Sequence, residues 1–118
     1  MSIELSFNLK LRDIPFTIIN EEGVAIIYSL RELTGKQRDI YLTKVAKRMD
    51  YSKEPPMVSN FEGLYSGLLA LCVYDENNQL VKENIIQRYP AGMISQLFNK
   101  AQLMNGFDIE AETAAKNG

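Results

Sequence analysis

The stretch IPFTIINEEGVAIIYSL, Ile14 to Leu30, decides what kind of fold this chain builds. Two runs, Ile14 to Ile19 and Val24 to Leu30, are rich in β-branched and aromatic residues and flank the tetrapeptide Asn20-Glu21-Glu22-Gly23. Such side chains favour extended backbone, because they pack well on a pleated surface and lose rotamer freedom against a helical turn. The tetrapeptide reads as a four-residue hairpin loop in which Gly23 takes positive φ. Pro15 has no amide proton, so it belongs at a sheet edge or at the start of a strand. A helix starting within Val24 to Leu33 is the competing reading.

Toward the N-terminus, the odd positions Ile3, Leu5, Phe7, Leu9 and Leu11 are apolar, whereas Glu4, Ser6, Asn8 and Lys10 are polar. Strict alternation predicts a half-buried strand, which makes three antiparallel strands the simplest sheet.

Toward the C-terminus the apolar period lengthens to nearly four. Thr34 and Gln37 have capping-box spacing, and a helix is predicted from there to about Met49. It turns Tyr41, Leu42, Val45, Ala46 and Met49 inward, with Asp39, Thr43, Lys44 and Lys47 in water. Ser52-Lys53-Glu54-Pro55-Pro56 breaks the chain, because neither proline can continue a helix. Ser59 and Glu62 repeat the capping spacing ahead of a stripe formed by Phe61, Leu64, Tyr65, Leu68, Leu69 and Cys72. Opposite that stripe lie Gly63, Gly67 and Ala70, a face without bulk. A glycine inside a helix costs about 1 kcal/mol relative to alanine, so close approach of another backbone is expected there, from the same domain or from a partner.

Asp75-Glu76-Asn77-Asn78-Gln79 is predicted to be a turn, since short polar side chains bond to nearby backbone groups. It does not read as a calcium loop, because Leu80 stands at the glycine position and Ile86 where the bidentate glutamate belongs. A short helical turn over Lys82 to Arg88 precedes Pro90, which suits the first position of a last helix. Met93, Ile94, Leu97, Phe98 and Ala101 share one face of that helix. Asn105-Gly106 ends it as a glycine C-cap, with Phe107 folding back. The expected class is therefore α+β: a small N-terminal antiparallel sheet of about three strands, then three to four helices. Residues 1–107 form one domain and 108–118 a flexible tail.

Composition narrows the chemistry. The 118 residues include no histidine and one cysteine, so Ser-His and Cys-His pairs are absent and the common zinc sets lose their main ligand. No phosphate-cradling Gly-Lys-[Ser/Thr] run occurs. The expectation is a non-enzyme with no catalytic, cofactor-binding or metal-binding residues. Cys72 is expected to be inert core in a reducing cytoplasm. No run approaches the ~20 apolar residues of a membrane span, and a net charge of −2 gives no field that demands nucleic acid. Lys36, Arg38, Lys44, Lys47, Arg48 and Lys53 cluster around the first helix, but Asp39, Asp50 and Glu54 dilute them. Ile40 on the polar side of that helix and Leu103 off the apolar face of the last one, together with five methionines, favour protein binding instead. Ile40, Gly63, Gly67, Ala70 and Leu103 are the candidate contacts for a partner or for self-association.

Three segments, SLRELTGKQRDIYLTKVAKRM from Ser29, FEGLYSGLLALCVYDENNQLV from Phe61 and YPAGMISQLFNKAQLMNG from Tyr89, resemble the tail assembly chaperones of long-tailed, non-contractile, lambda-like bacteriophages. The resemblance spans about Ser29 to Gly106 and rests on the order and spacing of the segments. It implies a small oligomeric protein of virion morphogenesis, acting in the host cytoplasm and absent from the mature virion. Such a protein binds the tape measure protein and keeps it soluble until tail tube subunits polymerise around it. It also implies a longer product made by ribosomal frameshift near the end of the reading frame, here near Lys116, through which tail tube protein is recruited. Two alternatives stay open: another phage morphogenesis or adaptor protein, and a nucleic-acid-binding module.

Overall fold

The structure is a computed structural model of the chain and describes residues 4–107. The expected tail over 108–118, with the frameshift position near Lys116, lies outside the described residues. β1 (Asp13–Ile19) and β2 (Ala25–Arg31) form the antiparallel hairpin that their composition predicts. In its loop, the Asn20 side chain accepts the amides of Glu22 and Val24, and Gly23 sits at φ 80°. Phe16 lies opposite Tyr28, and the two rings meet edge to face at 6.2 Å. This face of the hairpin, with Ile14 and Leu30, packs onto the core.

The sheet has three antiparallel strands, but the third is not the predicted one. Residues 4–12 form no strand, and Leu5, Phe7 and Leu9 are 79%, 83% and 96% exposed. The third strand is β5 (Val73–Tyr74), which pairs with β2 through Leu30–Val73 and Ser29–Tyr74 in the order β1-β2-β5. Alternation specifies a side-chain pattern but supplies no hydrogen-bonding partner. The outer flank of β2 is taken by a segment distant in sequence, at the Leu30–Val73 and Ser29–Tyr74 register.

α1 (Gly35–Lys47) opens with the predicted capping box: Thr34 Oγ1 accepts the Gln37 amide at 3.2 Å, and Gln37 Oε1 accepts the Thr34 amide at 2.9 Å. Gln37 also donates to the Leu71 carbonyl, which ties the helix start to the core. The buried line of α1 is narrower than predicted. Tyr41 is buried and Val45 half-buried, whereas Leu42 and Ala46 face solvent. A short two-stranded ribbon, β3 (Met49–Asp50) against β4 (Met57–Val58), straddles the double proline. Ser59 joins that ribbon rather than capping a helix, since its amide and hydroxyl both donate to the Arg48 carbonyl. α2 (Leu64–Leu69) therefore starts later than the Ser59/Glu62 spacing predicts, and ends earlier than Cys72.

After β5 the polar pentapeptide closes a tight hairpin, as expected. Asp75 Oδ1 accepts the amides of Asn77 and Gln79, Asn78 adopts φ 61°, and Val81 donates back to Val73. Arg31 stacks over Tyr74 at 3.9 Å, pairs with Asp13 at 3.6 Å and donates to Asn78, which binds this turn to the sheet. α3 (Glu83–Ile86) is the short helical turn, and α4 (Ala91–Asn105) follows with Pro90 at its cap. Gly106 at φ 72° ends α4, the Phe107 amide donates to the Gln102 carbonyl, and the Phe107 ring returns to lie 6.0 Å from Tyr41. The core is built from Leu30, Leu33, Tyr41, Leu68, Leu69, Cys72, Val73, Val81, Ile86, Phe98, Ala101, Met104 and Phe107. Asn105 joins its layers by accepting the Leu33 amide and donating to the Ala101 carbonyl.

Candidate interaction surface

A concavity lies where α2 begins beside the first turns of α4. Its volume is about 540 Å³, and it is lined by Phe61, Glu62, Gly63, Tyr65, Ser66, Gln87, Ala91, Ile94 and Ser95. The wall is made by a local turn. Asn60 Oδ1 accepts the Glu62 amide, the Leu64 amide donates to the Phe61 carbonyl, and Gly63 at φ 74° redirects the chain into α2. That reversal leaves the Phe61 ring 66% exposed instead of folding it into the core. Tyr65 forms the floor, its ring stacked on Phe98 at 4.3 Å, and so the groove is backed by a buried aromatic.

The polar layer beneath is satisfied internally. Ser66 donates to Glu83 Oε1 at 3.2 Å, and Gln87 donates to the Ser66 hydroxyl. The Tyr41 hydroxyl donates to the Leu64 carbonyl at 3.0 Å, which fixes the first turn of α2 from below. An apolar floor rimmed by the Gln87 amide, serine hydroxyls and the Glu62 carboxylate suits a polypeptide side chain better than a small anionic ligand.

The candidate residues fall into different settings. Gly63 lines the groove, but as the left-handed cap of α2 and not as an interior helical residue. A side chain there would meet the Arg48 guanidinium and the Glu83 carboxylate, at 2.8 and 3.1 Å from its Cβ. Gly67 is buried beside Glu83, and Ala70 is the half-buried C-cap of α2 against the core. The close backbone approach expected there is not found among the described residues: the nearest groups to Gly63 and Gly67 are the Arg48 and Glu83 side chains. Ile40 and Leu103 are exposed, as expected, on α1 and α4, and neither lines the groove. Phe61 and Tyr65, placed by the helical wheel in the core, are the residues sequence reasoning missed. The signal that could have found Phe61 is the Asn60-x-x-Gly63 spacing of a turn. Arg38, one of the basic cluster around α1, is exposed and lies 3.9 Å from Asp39.

Burial pushes the Tyr41 and Tyr89 hydroxyls and the Cys72 thiol each up to about 12; beside Tyr41, Arg48 opposes the shift. All three are neutral when protonated, and the unfolded chain ionises first. Their contribution to stability is therefore complete below about pH 9 and is lost as pH rises toward about 12. Urea midpoints are expected to fall progressively across that alkaline window. Tyr41→Phe, which removes the donor to Leu64, is expected to lower stability by about 1 kcal/mol at neutral pH and to flatten part of the alkaline loss. In the native state Cys72 is expected to resist thiol reagents.

Among the described residues, no group of three or more Asp, Glu or Cys side chains is placed to hold a metal ion, and no helix is long and apolar enough to cross a membrane. Comparison with protein-family models, with characterised proteins and with solved structures finds no match to this chain.

Proposed function

We propose that this protein is a phage tail assembly chaperone that covers apolar helical segments of a tape measure protein and keeps them soluble until the tail tube polymerises. The observation that carries this reading is the groove with Phe61 exposed at its wall and Tyr65 on its floor. Two of the three segments that resemble the chaperone family supply most of its lining: the one from Phe61 gives Phe61, Glu62, Gly63, Tyr65 and Ser66, and the one from Tyr89 gives Ala91, Ile94 and Ser95. A tape measure chain is long and mostly helical, so an amphipathic face laid into a shallow groove, repeated along it, gives reversible coverage through many modest contacts. The task needs no bond-making chemistry. It places the protein in the host cytoplasm and outside the finished virion, with tail tube protein as a second partner wherever a frameshifted longer form is made.

Co-expression with a tape measure fragment encoded beside this gene tests the proposal. The fragment is expected in the soluble fraction with the wild-type protein and in the pellet with Phe61→Asp. The melting temperature of that variant should match wild type, because Phe61 is outside the core. A fragment that remains insoluble with wild type, or equally soluble with both, contradicts the reading. A salt-sensitive shift of DNA by the wild-type protein would favour the nucleic-acid alternative.

A further inference from the structure

We propose that the N-terminal arm, Glu4 to Leu11, adds as an antiparallel strand to the open edge of β1 in a second copy of the chain, reciprocally. The edge is defined by register. Asn20 donates to Val24 and Glu32 to Arg12, so the even residues of β1 exchange hydrogen bonds with β2. The odd ones, Asp13, Thr17 and Ile19, direct their amides to the unpaired side. Pro15, which has no amide, also falls there, as its chemistry requires. The opposite edge of the sheet is closed by the Tyr74–Leu80 bridge. On the far side, β5 covers β2 only at Ser29 and Leu30, whereas β1 presents its whole length as a row of free backbone groups, a ready template for another strand.

The arm has the complementary pattern and nothing to pair with. It makes no backbone hydrogen bond to the rest of the described chain, yet every second residue is apolar, and of these Leu5, Phe7 and Leu9 are exposed while Leu11 is half-buried. Its own edge is closed to it. Arg12 is held by its backbone to Glu32 and by its guanidinium to the Met104 carbonyl, so the reversal would have to occur within Leu11 and Arg12. Two-residue hairpin loops need positive φ, which neither residue favours. The edge of a second copy carries no such constraint.

Parity then selects the face. The odd residues of β1 present Pro15, Thr17 and Ile19 on the exposed side of the sheet, beside Ala25 and Ile27 across the hairpin. An arm that places Leu5, Phe7 and Leu9 on that side covers Ile19 and reaches toward Ile27, which are otherwise exposed. Counted over both copies, this buries on the order of 1,500 Å², within the range of stable interfaces. A reciprocal exchange is isologous and closes as a dimer. Because it uses neither the groove nor a tape measure chain, it stands or falls independently of the chaperone reading.

Sedimentation across a concentration series, with the full chain and no partner, tests it. Wild type is expected to reach twice the monomer mass. Phe7→Asp/Leu9→Asp, altered at positions already exposed, is expected to halve that mass with an unchanged circular dichroism spectrum. Thr17→Pro, which removes an outward-facing amide and no hydrogen bond to β2, is expected to do the same. A wild-type protein that stays monomeric overturns the proposal, as does association that survives the arm substitutions. Association lost with the arm but kept in a folded Thr17→Pro variant also overturns it, by putting the arm on another surface or another molecule.

Discussion

Leu68→Ala is expected to reduce the unfolding free energy by about 3–4 kcal/mol, the upper part of the range for a buried leucine. Leu68 is 0% exposed in the short helix α2, which packs against α1, α3 and α4 at once. A six-residue helix has almost no stability of its own, so α2 exists because Leu64, Leu68 and Leu69 anchor it. Truncating the central anchor loses the transfer energy of the removed carbons and leaves a cavity that surrounding helices, held by Asn105 and by the Tyr41 hydroxyl, close only in part. For a domain whose total stability is of the order of 5–15 kcal/mol, this is a large fraction. Urea unfolding should show a lower midpoint at unchanged slope. Leu103→Ala, on the exposed side of α4, should stay within about 0.5 kcal/mol of wild type.

The two glycines of the small-residue face are expected to respond with opposite signs. Gly63→Ala places a Cβ in the left-handed region at φ 74°, which costs roughly 1–2 kcal/mol. It also forces the Arg48 guanidinium away from a point 2.8 Å distant. Gly67→Ala has ordinary helical geometry and meets only Glu83 Oε1, at 3.9 Å. There the helix-propensity gain of up to about 1 kcal/mol is realised, and the midpoint should rise. Equal destabilisation by both would mean that a backbone approaches α2 more closely than any side chain of this chain does.

Which features were legible in the sequence follows from the range of the forces that make them. The β1–β2 hairpin, the Thr34–Gln37 box, the Asp75 turn and the Gly106 stop are each written within four or five residues, by side chains that bond their own backbone or by a glycine that permits positive φ. The third strand was not legible. Val73 and Tyr74 continue the apolar register of Leu68, Leu69 and Cys72, and only the distant flank of β2 draws them out of a helix. Ser59 carries a cap's spacing, but the Arg48 carbonyl captures it through a ribbon formed across two prolines. The arm shows the converse case, a strand pattern with no partner in its own chain. Within the groove, Gly63 was conspicuous because it needs a reason to be glycine. Phe61 was hidden because an aromatic next to a helical stripe reads as core until the turn at Asn60 is seen to face it outward.

The central claim, that the face around Phe61 and Tyr65 is where another polypeptide is covered, has a direct optical test. The chain contains no tryptophan, so Phe61→Trp carries the sole indole, at the exposed wall of the groove. Titration with a helical tape measure fragment is predicted to shift its emission to the blue, saturably, as the ring leaves water. Emission that stays unchanged while the fragment binds, or a fragment that does not bind at all, would contradict the account.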